Sequence, residues 1–121
     1  MLDCLAVGMG GFLGAVCRYL VGLIPMEERF AFPVKTFAIN LAGSFVIGII
    51  ASLAMKQGVL GPRAVLFLKV GLCGGFTTFS SFALETGSLL KEGNMAAAMA
   101  YAVLSMALGV AAVFAGEAVA G

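Results

Sequence analysis

Four long apolar stretches, separated by short clusters of charged and turn-forming residues, run along this chain of 121 residues. Each stretch is near or above the roughly 20 residues that a helix needs to cross about 30 Å of hydrocarbon. The pattern predicts an all-α membrane protein with four transmembrane helices, in a single domain over residues 1–121. The predicted spans cover residues of about 5–24, 33–55, 63–90 and 95–119.

The clusters between the stretches set the ends of the spans. The first span closes at residues 25–29, and the second opens near residues 32–33, because proline suits an initial helical turn. The second span ends before Lys56. Residues 61–63 open the third span, and a turn at 91–94 separates it from the fourth.

The third span is too long for one straight crossing, and its centre carries the block Gly74-Gly75-Phe76-Thr77-Thr78-Phe79-Ser80-Ser81-Phe82. We predict that the helix is broken there, at the paired glycines. Lipid offers no hydrogen bonds, so backbone loosened at this depth must be buried in protein or line a wet pathway. The four hydroxyls and three phenyl rings of the block favour the pathway.

Composition narrows the function further. Hydrophobic residues make up 62% of the chain and charged residues only 11%, against about 25% in soluble domains. The chain has no histidine, the usual metal ligand and proton shuttle, and its net charge of +1 argues against a nucleic-acid partner. Cys4, Cys17 and Cys73 have no metal-site spacing and are interpreted as small buried hydrophobes. A cleaved signal peptide is not expected, since Asp3 replaces a basic start.

The basic residues are nearly balanced across the membrane, so the positive-inside rule predicts no orientation. Either the short loops leave few charges to count, or the chain inserts both ways and pairs head-to-tail. One side carries Lys56 and Arg63, with Lys69 inside the span; the other carries Arg29, Lys35 and Lys91, with Arg18 inside.

The first span combines small residues with one intramembrane charge. Gly10 and Gly14 recur at a spacing that favours close helix packing over a pore role. Arg18 lies about 10 Å from the span end at Pro25. It either snorkels to the interface or holds one mouth of a pathway positive.

Polar side chains repeat every fourth residue in spans two and four, and both stripes can converge on the broken third span. The stripes are Asn40, Ser44 and Gly48, and Tyr101, Ser105 and Gly109. Glu85 lies one turn beyond the block. A hydrogen-bonded structural role is favoured for it over proton coupling, because neither a histidine nor a second intramembrane acid is available as a relay.

Phe76, Phe79 and Phe82 lie three residues apart and share a broad face if the segment is helical. Ring edges carry the positive part of the aromatic quadrupole and, beside hydroxyls, offer a weakly positive, donor-rich lining. The residues alone leave both passage of a small anion and dense packing open.

Three places in the chain carry a family resemblance. The segments 10–19, 32–45 and 74–85, with the motif Gly-Gly-x-Thr-Thr-Phe-Ser-x-Phe, resemble the Fluc (CrcB-type) fluoride channels. The resemblance covers all four spans. It implies a non-enzymatic, multi-pass protein of the cell inner (plasma) membrane, working as an antiparallel dual-topology homodimer that exports fluoride passively. It also implies a structural sodium ion at the dimer centre.

The resemblance also implies roles for individual residues. Gly74 and Thr77 would give backbone carbonyls to sodium, Phe79 and Phe82 ring edges to fluoride, and Asn40 a pore amide. The remaining residues of the implied fluoride pore are Thr78, Ser80, Ser81, Tyr101, Glu85 and, in the vestibule, Arg18.

Two positions depart from the family pattern, and two rival functions stay in view. Ser81 stands where threonine is common, and Lys35 where glycine is usual, at one mouth. A small multidrug-type, proton-coupled efflux transporter would need a carboxylate within the first span, which has only Arg18 after Asp3. A non-transporting scaffold would explain the small residues but not the clustered hydroxyls.

Overall fold

The computed structural model describes residues 1–26 and 32–121, and these contain four helical spans long and apolar enough to cross a membrane. The prediction of an all-helical protein with four spans is therefore confirmed. Part of the turn predicted at 25–29 lies outside the described residues. The spans are α1 (Leu2–Gly22), α2 (Val34–Met55), the third span (Pro62–Lys91) and the last helix (Met95–Ala120).

The first and last helices show how local sequence sets their ends. α1 begins three residues earlier than expected, with Asp3 in its first turn, where a negative charge suits the helix dipole. It ends at Gly22, and the amides of Leu23 and Ile24 close the last turn on carbonyls three residues back. The last helix starts after Asn94, whose side chain accepts a hydrogen bond from the Ala97 amide.

The third span consists of four pieces: α3 (Pro62–Val65), a π-helical segment (Leu66–Cys73), α4 (Gly74–Phe76) and α5 (Phe79–Lys91). Between α4 and α5, Thr77 and Thr78 have extended backbone, with φ/ψ of −78°/157° and −147°/115°. The last helix of the chain is accordingly α6 (Met95–Ala120).

The glycine pair is not where the backbone leaves helical geometry, so that part of the prediction is wrong. Gly74 has φ −63° and ψ −37°, and Gly75 is within α4. A Cβ on Gly75 would lie only 2.5 Å from the Gly11 carbonyl oxygen and 3.0 Å from its Cα. Gly75 therefore serves close packing on α1, and the extended residues follow it.

Glycines join α1 to the first half of the third span. A Cβ on Gly14 would lie 2.7 Å from the Phe76 amide nitrogen, and one on Gly71 2.9 Å from the Gly10 Cα. Gly10 and Gly14 are buried. The packing interpretation of these residues is confirmed, because the two backbones approach to distances that no side chain fits.

A second glycine contact joins α2 to α6. Gly48 faces the backbone of Val113, and Gly116 faces the backbone of Phe45, each too closely for a Cβ. α5 also packs on α6, so the halves of the third span have different neighbours: α1 for the first half and α6 for the second. The extended residues lie where this change of partner occurs.

Both termini lie at the same end of the bundle as the connection between α2 and α3. Arg63 forms a 3.2 Å ion pair with Asp3, and Lys56 Nζ donates to the Ala120 carbonyl at 2.5 Å. This is the arrangement that an even number of spans requires. The outward faces carry many exposed large apolar side chains, among them Phe12, Leu84 and Phe114, which suit a lipid surround.

Candidate functional site

A side-chain amide from α2 holds the extended residues. Thr78 N–H donates to Asn40 Oδ1 at 2.8 Å, and Asn40 Nδ2 donates to the Thr78 carbonyl at 3.1 Å. One side chain therefore satisfies both the backbone N–H and the backbone C=O of Thr78, so this residue needs no water to pair them inside the bundle. One amide hydrogen of Asn40 is not used in this exchange.

Hydroxyl groups start α5 on the other side of the interruption. Thr78 caps the helix, its side chain accepting from the Ser81 amide at 3.2 Å. The same hydroxyl donates to Ser81 Oγ at 3.2 Å and lies 3.4 Å from Ser80 Oγ. Three hydroxyls therefore cluster at the N-terminal end of α5, where the helix dipole and unpaired amides favour negative charge.

These caps direct two amides away from the carbonyls that a continuous helix would give them. The Thr78 amide would pair with the Gly74 carbonyl, and the Ser81 amide with the Thr77 carbonyl; they go to Asn40 Oδ1 and Thr78 Oγ1 instead. The carbonyl oxygens of Gly74 and Thr77 thus lack their helical donors among the described residues. Such oxygens are hard ligands of the kind that a small cation prefers.

Glu85 is held by hydroxyls from two other helices. Thr36 Oγ1 on α2 donates to Oε2 at 2.9 Å, and Tyr101 OH on α6 donates to Oε1 at 3.0 Å. Thr36 is 8% exposed and Tyr101 is fully buried. The carboxylate therefore ties α2, α5 and α6 together one to two turns beyond the hydroxyl cluster.

The two phenyl rings of α5 differ in their surroundings. Their centroids are 5.8 Å apart, and the Phe82 ring lies 5.0 Å from the Tyr101 ring. Phe82 is partly buried, whereas Phe79 is 78% exposed on the protomer. Phe76 belongs to α4, before the extended residues, so only Phe79 and Phe82 share a face on α5.

Arg18 reaches the extended segment from α1. Its Nε donates to the Gly75 carbonyl at 3.2 Å, and the hydrogen bond is partly buried. The guanidinium is therefore fixed next to the interruption rather than extended toward the membrane surface. Its terminal nitrogens take no part in this bond.

Two cavities border the interruption, and Thr78 lines both. The larger has a volume of about 410 Å³, and polar, aromatic, aliphatic and glycine residues from several of the elements that meet here line it. Its polar, charged and aromatic lining residues are Asn40, Ser44, Lys69, Thr77, Thr78, Phe79, Phe82 and Ser105, and the others are Gly43, Ile47, Cys73, Gly74 and Met106. The Ser105 hydroxyl is buried and has no hydrogen-bond partner in the described part of the chain.

The smaller cavity lies toward the end of the bundle opposite the termini. Its volume is about 250 Å³, and Arg18, Lys35, Thr78, Ser81 and Glu85 line it. Because Thr78 lines both cavities, the hydroxyl cluster lies between a space lined by two phenyl rings and Lys69 and a space lined by Arg18, Lys35 and Glu85.

The structure gathers most of the predicted pore residues around this point and leaves two outside the cavities. Ser80 is exposed beside Thr78, and Tyr101 is buried with its hydroxyl on Glu85; neither lines either cavity. Ser80 and Ser81 therefore belong to the hydroxyl cluster at Thr78, and Tyr101 contacts Glu85.

Two residues at the site, Thr36 and Lys69, were not predicted from the sequence. Thr36 lies four residues before Asn40 and extends its polar stripe by one turn, onto Glu85. Lys69 enters the sequence reasoning only through the charge balance, yet it lines the larger cavity. The signal available in the sequence was a charged residue inside the third span.

Comparison with known proteins identifies the family. Residues 5–117 match the family model described as CrcB-like protein, Camphor Resistance (CrcB). The chain belongs to the CrcB-like family. The match covers all four spans and the interruption between α4 and α5.

Several relatives are similar in sequence to this chain over most of their length. A protein of Chlorobaculum tepidum named fluoride-specific ion channel FluC is 48% identical over 116 residues, 96% of this chain and 92% of the relative. Proteins with the same name in Nitrobacter winogradskyi (48% over 113 residues, 93% and 90% of the two chains) and Chlorobium luteolum (49% over 94 residues, 78% and 73%) are similarly close. The chain is a multi-pass membrane protein of this family.

Proposed function

We propose that the chain is a fluoride-selective channel that lets cytoplasmic fluoride leave the cell by passive electrodiffusion. Its relatives of 42–49% identity are named as fluoride-specific ion channels, which makes the chain a channel rather than an enzyme. Fluoride enters cells as neutral HF, which ionises in the cytoplasm. A passive route through the cell membrane therefore suffices to lower the cytoplasmic fluoride concentration.

The observation that carries this proposal is the junction at Thr78. Fluoride is small and strongly hydrated, so a pore must replace its water with many donors. Around Thr78 lie an amide, three clustered hydroxyls and two phenyl rings, on the borders of two cavities. Hydroxyl donors and positive ring edges bind an anion without the strong trap of a full positive charge.

Asn40 has a composite role in this proposal. Its carbonyl and one amide hydrogen hold the Thr78 peptide, and its remaining hydrogen is available to the larger cavity that it lines. Phe79 and Phe82 supply ring edges to the anion. Ser80, Ser81 and Thr78 supply hydroxyls, and Arg18 attracts the anion from the smaller cavity.

We further propose a structural sodium ion at the interruption. The carbonyls of Gly74 and Thr77 have lost their helical donors to Asn40 and Thr78, which supports them as its ligands. The described residues contain no cluster of three or more His, Cys, Asp or Glu side chains, so backbone oxygens are the better candidates. When bound, sodium would fix the geometry of the interruption and would not be transported.

The functional unit in this proposal is an antiparallel homodimer with a broken third helix in each copy. Phe79 is 78% exposed on one protomer, although the proposed role requires a protected lining. A second copy in the opposite orientation would cover this face. The balanced basic residues on the two ends of the bundle permit both orientations.

The proton-coupled transporter is the alternative, and two contacts weaken it. Asp3, the acid of α1, is at the membrane end and paired with Arg63. Glu85, inside the bundle, is held on both oxygens by Thr36 and Tyr101. An exchanger needs a carboxylate free to take up and release protons and substrate in turn.

Ion efflux from liposomes tests the proposed function. Purified protein is reconstituted into vesicles loaded with potassium fluoride or potassium chloride, and efflux starts when valinomycin is added. We expect rapid fluoride efflux, little chloride efflux and no need for a proton gradient. Equal rates for the two anions would contradict selectivity, and dependence on a proton gradient would favour the transporter.

A further inference from the structure

We infer that Lys35 is a second anion-attracting cation of the smaller cavity, after Arg18. It raises the local fluoride concentration in this cavity and thereby the rate of fluoride flux. The inference rests on the proposed function and adds a residue to it. It is carried by the presence of Lys35 and Arg18 together in one 250 Å³ cavity that reaches Thr78. We define this cavity, lined by Arg18, Lys35, Ser81, Glu85 and Thr78, as the vestibule.

Both cations are held in place by hydrogen bonds to backbone carbonyls. Lys35 Nζ donates to the Gly22 carbonyl at the end of α1, at 2.9 Å, and Arg18 Nε donates to the Gly75 carbonyl. An ammonium has three N–H donors and a guanidinium five, and contacts among the described residues engage one donor of each. Held charges attract an anion without the entropy cost of ordering a free side chain.

Lys35 decides the sign of the formal charge summed over the described lining residues of the vestibule. Among the described lining residues, Arg18 and Lys35 are the cations and Glu85 is the carboxylate. With Lys35 the formal sum is one positive charge; without it, Arg18 and Glu85 cancel. The carbonyls at the C-terminal end of α1 add partial negative charge, which Lys35 offsets directly through its bond to Gly22.

Glu85 lines the vestibule while both of its oxygens accept hydroxyl hydrogen bonds, from Thr36 on α2 and Tyr101 on α6. Ser81, which also lines the vestibule, offers a hydroxyl next to Thr78. An anion that enters past Lys35 therefore meets donors before it reaches the hydroxyl cluster.

A purely structural role for Lys35 gives different expectations. The bond to Gly22 links the end of α1 to the start of α2, and its loss would destabilise the contact between these two helix ends. Lys56 makes a comparable bond, from its ammonium to the Ala120 carbonyl at the end of α6, and lines neither of the cavities at Thr78. It is a matched control for the loss of one lysine and one helix-end contact.

The test measures fluoride efflux from liposomes at low and high ionic strength, with sodium held constant. The variants are Lys35→Met, Lys35→Arg and Lys56→Met, and the added salt is N-methylglucamine glutamate. A unit charge near an anion in a wet cavity changes its local concentration by roughly two- to fivefold. We expect Lys35→Met to slow efflux by this factor at low ionic strength and to match the unsubstituted chain near 1 M, where charges are screened within about 3 Å.

We expect Lys35→Arg and Lys56→Met to behave like the unsubstituted chain at both ionic strengths, and all variants to melt within about 1 °C of each other. A deficit in Lys35→Met that persists at high ionic strength, or that follows a lower melting temperature, would assign Lys35 a structural role and overturn the inference. Unchanged efflux in Lys35→Met would overturn it and leave the proposed function standing. Absence of fluoride efflux from the unsubstituted chain would overturn both.

Discussion

Asn40 and Thr78 show, at the scale of single residues, how a membrane helix can be interrupted. An unpaired amide in the bundle would cost about 1–3 kcal/mol, and Asn40 satisfies both polar groups of the Thr78 peptide. The side chain named as a pore amide is therefore first a positioning residue. Its effect on the pore passes mainly through the backbone that it holds.

Removal of this amide should reduce stability and flux together. We expect Asn40→Ala to lower the free energy of unfolding by about 1–3 kcal/mol, because the Thr78 N–H and carbonyl lose their partner. Ser44→Ala is the control, since Ser44 lies on the same stripe and lines the same cavity. We expect it to stay within about 0.5 kcal/mol. Thermal unfolding in detergent checks both; equal stability of the two variants would contradict the positioning role.

Replacement of the phenyl rings should lower fluoride flux without a matching loss of stability. Phe79→Ile and Phe82→Ile keep apolar bulk but remove the ring quadrupole, so we expect fluoride flux to fall severalfold while folding and dimerisation survive. Phe79→Ile is the cleaner variant, because Phe82 also contacts the Tyr101 ring. Flux and dimer stability are measured on the same preparations. If flux falls only in proportion to stability, the rings are packing residues.

At the scale of helices, the third span changes its packing partner at the interruption. Its first half lies against α1 through glycines, and its second half lies against α6. Gly14 contacts the segment that leads into the interruption. A Cβ there would contact the Leu72 carbonyl and the Phe76 amide, just before the extended residues. The position of α4 therefore depends on a glycine in another helix.

We expect Gly14→Ala to destabilise the protein by about 1–3 kcal/mol, since the two backbones must separate. Gly8→Ala is the matched control on the same helix, because a methyl group there would have no atom of another described helix within 4 Å. It should be neutral or stabilising by up to about 1 kcal/mol, the helix preference of alanine over glycine. Melting temperatures of the two variants check this, and equal effects would contradict the packing account.

Periodicity and composition predicted the four helical spans, but not the residues at which the third span is interrupted. Spans and packing glycines are local properties of the chain, so the four spans and the roles of Gly10 and Gly14 could be predicted. The extended geometry at Thr77 and Thr78 could not, because the group that captures the Thr78 amide is Asn40, on another helix. The roles of Lys69 and Thr36 likewise depend on which faces of the helices meet.

At the scale of the whole molecule, one protomer leaves its proposed pore incomplete. Phe79 is 78% exposed, and it lines the larger cavity. Two opposite ends of the bundle carry similar basic charge, with Lys56 and Arg63 at one and Lys35 and Lys91 at the other. A second, inverted copy would complete the pore and is compatible with this balance.

Dual insertion predicts that reporter tags at the C-terminus will be found on both sides of the membrane. Adding two or three lysines to the connection between α2 and α3 should bias the orientation, at about 1 kcal/mol for each charge near an anionic surface. The same number of added glutamines is the control. A single orientation of the unmodified chain would contradict the antiparallel homodimer.

The zero-current voltage across a planar bilayer tests the central claim of a passive fluoride-selective channel most directly. The purified protein is placed between solutions with about a tenfold gradient of fluoride and an equal, opposite gradient of chloride. The account predicts a voltage close to the fluoride equilibrium potential, about 59 mV for a monovalent ion, that does not shift when a pH gradient is added. A voltage near zero or near the chloride potential, or one that follows the pH gradient, would contradict it.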